Sequence, residues 1–234
     1  MTLDELKRDV LAANLELCHR GLALFTWGNA SGIDRDRGIV AIKPSGVPYA
    51  SMTAAGMVLV DLDGRVVGQG YRPSSDLETH LCLYRAFPDI GGVVHTHSTF
   101  ATAWAQAGCD LPCEGTTHAD YFHGPIPCTR RLETAEIAGA YERETGEVIV
   151  ETLTRRGLAA RAMPAALVHG HGPFAWGGDP AEAVHNAVVL EEVARIALLS
   201  RTVAAPQPIA QALLDRHFLR KHGPGAYYGQ GRAG

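Results

Sequence analysis

Short β-type runs alternate with helical patterns along this chain, and several connections between them are too short to join parallel strands. A parallel crossover needs a dozen or more residues, so these runs favour antiparallel pairing. The runs are residues 22–26, 39–42, 57–60, 65–67, 93–97, 148–151 and 166–171. We therefore predict a single α/β domain spanning residues 1–234, an α/β/α sandwich with a largely antiparallel central sheet.

Capping signals mark the ends of the predicted helices. Thr2 and Glu5 form a capping-box pattern ahead of apolar residues at helical spacing, which predicts a first helix over residues 3–17. Asp179 followed by Pro180 is a strong helix start and predicts a long helix to about residue 203. Similar patterns predict helices over about residues 77–87, 100–107, 134–143 and 209–221.

The composition excludes several classes of protein. The chain has 234 residues, of which 46% are hydrophobic and 20% charged, as in ordinary globular proteins. A net charge of −4 argues against binding nucleic acid through a broad basic field. No apolar run reaches 18 residues, the first residues do not follow signal-peptide order, and the five cysteines are scattered. We therefore expect a cytoplasmic protein with neither nucleic-acid nor membrane partners.

Two His-x-His pairs are the strongest candidate for a metal site. His95 and His97 end one apolar run, and His169 and His171 end another. Residues two apart on a strand share a face, so each pair can direct two imidazoles to one side. With a carboxylate from Asp76, three imidazoles suit zinc or another divalent ion such as Mn²⁺ better than calcium or magnesium. Spacing does not decide which member of the second pair binds, and hydrogen-bonded structural histidines are the alternative.

Three small-residue turns could bind a phosphate group. They cover residues 26–31, 43–46 and 73–76, and they offer backbone N–H groups, hydroxyls, an amide and the Lys43 cation. A helix that begins after Ser75 would direct the positive end of its dipole at an anion there. None of the turns matches a P-loop or dinucleotide fingerprint. A phosphate site beside a metal site predicts that the substrate is a small phosphorylated metabolite.

These motifs resemble the class II aldolase/adducin-like superfamily. The matching segments are Thr26-Trp27-Gly28-Asn29, Lys43-Pro44-Ser45-Gly46, Pro73-Ser74-Ser75-Asp76, Val94-His95-Thr96-His97-Ser98 and Val168-His169-Gly170-His171-Gly172-Pro173. Within the superfamily, the stretches at residues 115–121, 183–187 and 227–230 are similar to the bacterial L-ribulose-5-phosphate 4-epimerases. The likeness covers about residues 3–230, so residues 231–234 extend beyond it as a short tail.

The resemblance implies a role for each matching residue. It implies a zinc ion held by Asp76, His95, His97 and His171, which leaves His169 outside the set of ligands. The phosphate-binding residues that it implies are Gly28, Asn29, Lys43, Ser45, Gly46, Ser74 and Ser75. It also implies two acid/base residues, Asp120 and Tyr228, with His217 beside them.

The resemblance further implies an isomerase of carbohydrate metabolism, with arabinose and ascorbate catabolism both open as the source of substrate. The reaction would be zinc-dependent epimerisation at C4 of L-ribulose 5-phosphate by cleavage and rejoining of a carbon–carbon bond. Family members are homotetramers with sites between subunits, and one subunit supplies Tyr228 to the metal of another. The alternatives are a fuculose- or rhamnulose-phosphate aldolase and, in a different class, a non-catalytic adducin-like binding module.

Overall fold

Six antiparallel strands form one sheet at the centre of the computed structural model, which describes residues 1–227. The strands are β1 (Asn29–Asp34), β2 (Ile39–Ile42), β3 (Val58–Asp61), β4 (Gly92–His95), β5 (Ala165–Leu167) and β6 (Pro173–Gly177). Their order in the sheet is β3-β2-β1-β4-β6-β5, and every neighbouring pair is antiparallel. The predicted antiparallel sheet is therefore confirmed. The prediction of a single domain with a tail at residues 231–234 stays a prediction, because that tail lies outside the described residues.

Helices cover both faces of this sheet. They are α1 (Leu3–His19), α2 (Leu77–Ala86), α3 (Thr99–Ala107), α4 (Thr116–Ala119), α5 (Thr134–Ala138), α6 (Tyr141–Arg155), α7 (Pro180–Val203) and α8 (Gln211–His222). Neighbouring residues of β4 show the two faces: Val94 packs in a core with α1, α3 and α7, and Val93 in a second core with α2 and α6. This is the α/β/α sandwich that the sequence predicts. Within residues 1–227, no helix is long and apolar enough to span a membrane.

The predicted caps form the expected hydrogen bonds. The Thr2 hydroxyl accepts a hydrogen bond from the backbone N–H of Glu5, and the Glu5 carboxylate accepts one from the backbone N–H of Thr2 at 2.6 Å. The Asp179 carboxylate accepts a hydrogen bond of 2.8 Å from the backbone N–H of Glu182 at the start of α7. Each of these bonds satisfies an amide that the first turn of a helix leaves unpaired, so both helices begin where the sequence predicts.

Two predicted strands are wrong. Residues 148–151 lie inside α6, where Val148, Ile149 and Thr152 are buried on one side of a helix. A short apolar run does not distinguish a buried helix from a strand by itself, and here the helical spacing continues to Leu153. Residues 22–26 form a turn, in which Phe25 has a positive φ of 53° that ends any extended conformation. The predicted run at residues 65–67 contributes only an isolated bridge between Val60 and Val66.

Strands β1 and β6 correspond to no predicted run, and two other predicted strands are longer than those observed. β1 has the sequence Asn-Ala-Ser-Gly-Ile-Asp, which is poor in β-branched residues, yet all six residues are buried. Tertiary burial overrides propensity there. Strands β4 and β5 end at His95 and Leu167, so His97, His169 and His171 lie in loops. The assumption that each His-x-His pair shares a strand face was therefore wrong.

The chain segments that carry the sequence motifs lie together at one end of the sheet. Because neighbouring strands are antiparallel, the beginnings of β1 and β6 lie beside the ends of β2 and β4. Asn29 pairs with His95 in this register, and His95 pairs with Phe174 on its other side. The turns before β1 and β6 and the turns after β2 and β4 therefore meet at this end.

A buried asparagine attaches α1 to the start of β1. Asn14 is fully buried, its side-chain amide donates to the carbonyl of Ala30 at 3.0 Å, and its carbonyl accepts from the N–H of Ala30 at 2.9 Å. Ala30 lies one residue before the pairing with β2 begins at Ser31, so Asn14 satisfies backbone groups that β2 does not reach.

We predict that Asn14→Leu lowers the free energy of unfolding by about 2–4 kcal/mol. The substitution leaves the N–H and C=O of Ala30 buried without partners, and each such group costs about 1–3 kcal/mol. Chemical denaturation followed by circular dichroism measures the loss. Leu15→Ala on the exposed side of the same helix is the control and should change stability by far less. An unchanged midpoint for Asn14→Leu would contradict this account of how β1 is held.

Candidate metal and phosphate site

Three imidazoles converge at the end of the sheet described above. His95, His97 and His171 each offer a ring nitrogen, and these atoms all lie within 4.8 Å of one another. The Nε2 atoms of His95 and His97 are 3.1 Å apart. Two imidazole nitrogens bound to one tetrahedral zinc at about 2.0–2.1 Å would be about 3.3 Å apart. The donor set therefore fits a divalent cation of that size.

Contacts from the surrounding residues orient two of these rings. The Nδ1 atom of His95 lies 3.0 Å from the carbonyl oxygen of Pro173, so Nδ1 carries the proton and donates it. That tautomer leaves a lone pair on Nε2, which faces the cluster. The His95 ring also stacks on Phe174 at a centroid distance of 4.2 Å. The Nδ1 atom of His171 lies 3.3 Å from the hydroxyl of Tyr141, at the start of α6.

Burial keeps the three imidazoles neutral. It lowers the pKa of His95 to about 3, because the buried ring loses the solvation that a charged form needs. Burial also lowers the pKa values of His97 and His171 from their ordinary value. A neutral imidazole is the form that binds a metal, so the site needs no deprotonation step at neutral pH.

Asp76 lies beside this cluster, at the N-terminal end of α2. Its carboxylate accepts a hydrogen bond of 2.5 Å from the Asn29 side chain, which also donates to the Ser74 hydroxyl at 3.0 Å. Burial acts to raise the pKa of Asp76, but the histidines around it and the Asn29 hydrogen bond outweigh that effect, so its pKa lies below the ordinary value. The group of mutually close ligand atoms contains the three imidazoles and not Asp76. The role of Asp76 as a fourth ligand stays a prediction.

All seven residues predicted to bind phosphate line one cavity together with three of the four predicted metal ligands, Asp76, His95 and His97. The cavity has a volume of about 570 Å³, and its walls include Gly28, Asn29, Lys43, Ser45, Gly46, Ser74, Ser75, Asp76, His95 and His97. Lys43 is almost fully buried, and its ammonium donates to the Thr26 carbonyl at 3.1 Å. Burial lowers the pKa of Lys43, so the charged amine would gain from an anion in the cavity.

Gly28 is needed where the first turn passes the metal site. Its φ is +71°, and a Cβ atom there would lie 2.8 Å from the carbonyl oxygen of His95. Any other residue would be strained and would also push against the backbone next to the histidine cluster. The Gly28 carbonyl in turn accepts a hydrogen bond of 3.0 Å from the Tyr49 hydroxyl.

The structure separates the members of the second histidine pair. His171 faces His95 at a centroid distance of 4.7 Å. The Nε2 atom of His169 instead accepts a hydrogen bond of 3.3 Å from Arg131, so His169 lies outside the cluster. Tyr141 was not predicted from the sequence, because a lone tyrosine at a helix start carries no signal of contact with a histidine 30 residues away.

Asp120 and His217 come together in a different part of the fold. The Nδ1 atom of His217 lies 2.9 Å from the Asp120 carboxylate, and Arg220 donates to both oxygens of that carboxylate at 2.8 and 2.9 Å. Burial acts to raise the pKa of Asp120, but the hydrogen bonds from His217 and Arg220 outweigh it, so the pKa lies below the ordinary value. Asp120 is therefore an anion at neutral pH. The predicted position of His217 beside Asp120 agrees with this contact.

This second group lies near the opposite end of the sheet. Its neighbours Tyr121 and Lys221 line a cavity with Ile90, Pro164 and Gly177, which stand before β4, before β5 and at the end of β6. The metal cluster lies where β4 ends and β6 begins. The length of β4 alone separates the two ends by roughly 10 Å. Tyr228, the other predicted acid/base residue, lies outside the described residues.

The sequence matches the model of the family described as Class II Aldolase and Adducin N-terminal domain over residues 8–198. The chain belongs to this family, and the resemblance read from its motifs is confirmed.

Among curated proteins, the chain is similar to L-ribulose-5-phosphate 4-epimerase UlaF of Salmonella paratyphi C (strain RKS4594). The two are 58% identical over 229 residues, which is 97% of this chain and 100% of the relative. Among solved structures, an L-fuculose 1-phosphate aldolase has a TM-score of 0.77 at 23% identity, covering 91% of this chain and 94% of its own. YgbL from Klebsiella pneumoniae, a putative aldolase/epimerase/decarboxylase, has a TM-score of 0.72 at 25% identity, covering 92% and 99%.

We predict that Asp120→Asn lowers the free energy of unfolding at pH 7 by about 1–3 kcal/mol, since it removes charge-assisted hydrogen bonds. Because the folded-state pKa of Asp120 is lowered, its contribution is present above the unfolded pKa of about 3.9 and is lost as the pH falls. Denaturation curves at several pH values should therefore show the wild type and the variant converging below about pH 4. Asp215 lies in α8, and its exposed carboxylate pairs with His123, so the control variant Asp215→Asn should have little effect. A constant difference at every pH would refute this assignment.

Proposed function

We propose that this protein is a divalent-metal-dependent 4-epimerase that interconverts L-ribulose 5-phosphate and D-xylulose 5-phosphate. The observation that supports the proposal most directly is one cavity, which is lined both by the predicted phosphate-binding loops and by His95 and His97 of the histidine cluster. The chain is also 58% identical to a relative named for this activity. We expect the enzyme to be cytoplasmic.

The reaction must invert a carbon that bears a hydroxyl group but no acidic hydrogen. Simple deprotonation cannot do this, which leaves either transient oxidation by a nicotinamide or cleavage and rejoining of the C3–C4 bond. The chain has no dinucleotide fingerprint, which disfavours the oxidative route. Cleavage gives a three-carbon fragment and glycolaldehyde phosphate. The aldehyde group must rotate and present its other face before the bond forms again.

The predicted phosphate-binding loops would retain the glycolaldehyde phosphate while its carbonyl group rotates to present the opposite face. Lys43 supplies the cation, and Ser45, Ser74 and Ser75 supply hydroxyls along the wall of the cavity. A phosphate bound there also meets the N-terminal end of α2, where the helix dipole favours an anion. The fragment is then held at its phosphate end and free to rotate at its carbonyl end.

The residues that would hold the cation are His95, His97 and His171, with Asp76 as a fourth donor. Three imidazoles and a carboxylate suit zinc best, with Mn²⁺ as the next candidate. When bound, the cation supplies Lewis-acid stabilisation of the negative charge that develops on the three-carbon fragment. Asn29 keeps the Asp76 carboxylate in place beside the imidazoles, and Gly28 allows the backbone to approach them.

Rejoining on the opposite face requires two proton-transferring groups on opposite sides of the carbonyl. We assign these roles to Asp120 and Tyr228, with His217 in contact with Asp120. The Asp120 carboxylate is anionic in the described arrangement, so it would accept the proton of the C4 hydroxyl in one direction. Tyr228 would donate to the aldehyde oxygen from the other face.

We propose that the site is completed between subunits, because Asp120 and the histidine cluster lie toward opposite ends of the same sheet. A neighbouring copy can bring its own Asp120 group against the metal cavity without any change in the fold of either subunit. A closed cyclic assembly repeats this contact at every site, and the resemblance to the family favours a homotetramer.

A class II sugar-phosphate aldolase of the fuculose- or rhamnulose-phosphate type is the second candidate, since a fuculose-phosphate aldolase shares the fold. It would release its two fragments, so an assay for free aldehyde distinguishes it from an epimerase. An adducin-like binding module is disfavoured, because its function would not need three neutral imidazoles within 4.8 Å of one another.

Deuterium labelling tests whether the reaction proceeds by cleavage and rejoining of the C3–C4 bond. Cleavage and rejoining of C3–C4 never breaks the C4–H bond, so L-ribulose 5-phosphate turned over in D₂O should equilibrate with D-xylulose 5-phosphate without deuterium at C4. No nicotinamide should be needed, and removal of metal by a chelator should abolish turnover. Nuclear magnetic resonance of the product measures the label.

Two results would refute the proposed reaction. Deuterium at C4 would indicate proton abstraction instead, and release of free glycolaldehyde phosphate without epimerised product would identify an aldolase. Wild-type enzyme incubated with D-xylulose 5-phosphate is the matched control, because the reverse reaction must also leave C4 unlabelled.

The prediction of shared sites is tested by mixing subunits. His97→Ala and Asp120→Asn should each have little activity alone, because they damage different halves of every site. Co-expressed, they should form intact sites at about a quarter of the positions by random assembly. The control is His97→Ala with Lys43→Met, which damage the same half and should not complement each other. Absence of restored activity in co-purified mixed oligomers would contradict a shared site.

A further inference from the structure

One large aromatic side chain lines the metal and phosphate cavity and has no role in the proposed reaction so far. Trp27 is 52% exposed, and its ring centroid lies 6.4 Å from that of His97, with 55° between the ring planes. The other described residues in the walls of this cavity are small or polar. Among the described residues, the indole is therefore the one broad apolar surface that the cavity offers to a bound molecule.

Trp27 lies between the phosphate end of the cavity and its metal end. The carbonyl of the preceding residue, Thr26, accepts a hydrogen bond of 3.1 Å from the Lys43 ammonium. The following residue, Gly28, lies so near His95 that a Cβ atom on it would be 2.8 Å from the His95 carbonyl oxygen. Two residues span at most about 7 Å, which is comparable with the distance from phosphate to ketone in an extended pentulose phosphate. The indole thus lies beside the middle of that span.

Hydrogen bonds hold the backbone of this turn in place. The Tyr49 hydroxyl lies 2.9 Å from the carbonyl oxygen of Trp27 and 3.0 Å from that of Gly28, so its hydrogen is shared between two acceptors. Tyr49 itself is almost fully buried and anchors the turn to the hydrophobic core. The indole therefore projects from a fixed backbone, as a preformed wall of the cavity does.

The middle of the substrate is where an apolar wall affects the proposed reaction most. After cleavage of C3–C4, glycolaldehyde phosphate is held by its phosphate group, and its aldehyde must rotate without leaving the cavity. The hydrogen-bearing carbons C4 and C5 can pack on the indole face, while the aldehyde oxygen stays toward the polar walls. The same wall keeps water away from the reactive three-carbon fragment, which limits its protonation.

We propose that Trp27 retains the cleaved fragments, because its indole covers C4 and C5 of glycolaldehyde phosphate while the aldehyde rotates. The inference rests on the proposed function and deepens it, since retention is what separates an epimerase from an aldolase. The competing release reaction is balanced without any co-reactant. The C4 hydroxyl loses its proton, the three-carbon fragment gains one at C3 and leaves as dihydroxyacetone, and glycolaldehyde phosphate leaves as the free aldehyde.

The ratio of dihydroxyacetone released to D-xylulose 5-phosphate formed tests this role. Trp27→Ala removes the wall and should raise the ratio by about 10-fold, which is a change of about 1.4 kcal/mol in the relative barriers. Trp27→Phe keeps a smaller ring and should give an intermediate ratio. Because both products come from the same folded enzyme, a general loss of stability does not change their ratio.

Phe25 provides the matched control. It lies in the same turn, is 80% exposed, contacts Trp27 edge-to-face at a centroid distance of 5.5 Å, and is not among the described residues that line the cavity. Phe25→Ala should leave the ratio of released to epimerised product unchanged. If the exposed rings of this turn served only to pack against another subunit, Phe25→Ala would act at least as strongly as Trp27→Ala. Equal increases in the two variants would therefore overturn the proposal, as would dissociation of the oligomer by Trp27→Ala in size-exclusion chromatography.

Tryptophan fluorescence gives a second measurement that does not depend on turnover. Of the three tryptophans, Trp27 is the most exposed, since Trp176 is fully buried and Trp104 is partly buried. L-Ribulose 5-phosphate added to the metal-free protein should shift the emission to shorter wavelength, because the indole loses contact with water. Inorganic phosphate alone occupies only the phosphate end and should cause little shift. Trp27→Phe should lose the shift that L-ribulose 5-phosphate causes.

The outcomes distinguish this inference from the proposed function. A wild-type ratio of products in Trp27→Ala overturns the role of Trp27, while epimerisation by the wild type leaves the proposed function in place. An unchanged emission on addition of L-ribulose 5-phosphate, or an equal shift in Trp27→Phe, also overturns that role. A metal-loaded wild type that forms no D-xylulose 5-phosphate would refute the proposed function and this inference together.

Discussion

The antiparallel register between β1, β4 and β6 is the constraint on which the rest of the structure depends. It sets Asn29 opposite His95 and His95 opposite Phe174, so three chain segments remote in sequence meet at one end of the sheet. A shift of one residue would turn His95 and Val93 to the other face, because side chains alternate along a strand. The two hydrophobic cores resist that shift, since Val93 and Val94 are buried on opposite faces. Packing of the sandwich thus determines the geometry of the cavity.

Burial of polar groups gives that cavity its chemical character. The imidazoles are neutral because a charged ring would lose solvation there, and Asp76 stays charged because the side chains around it compensate for burial. The result is a set of donors that suits a divalent cation next to loops that suit a phosphate. Asp120 is charged for a different reason, its pairing with Arg220 and His217. In this subunit the two polar groups do not meet, and a shared site between copies is the arrangement that joins them.

Sequence patterns predicted those elements whose signals are local. The caps at Thr2 and Asp179 predicted where α1 and α7 begin, because the hydrogen bonds of a cap lie within four residues. The strand at residues 148–151 was wrong because Val148, Ile149 and Val150 are apolar in either conformation, and only packing against α2 shows that they form a helix. β1 was missed because its small polar residues are held by their neighbours, Ser31 by His80 and Ala30 by Asn14.

The sequence by itself determined the inventory of the site: two His-x-His pairs, three small-residue turns and a lysine, all of which it placed in one family. Which residues meet was a property of the tertiary structure. His171 joins His95 and His97 while His169 pairs with Arg131, although spacing treats the two alike, because the loop before β6 turns only one of them toward β4. The separation of Asp120 from the cluster likewise depends on how α4 and α8 pack together near the far end of the sheet, and contacts between such distant segments have no local signature.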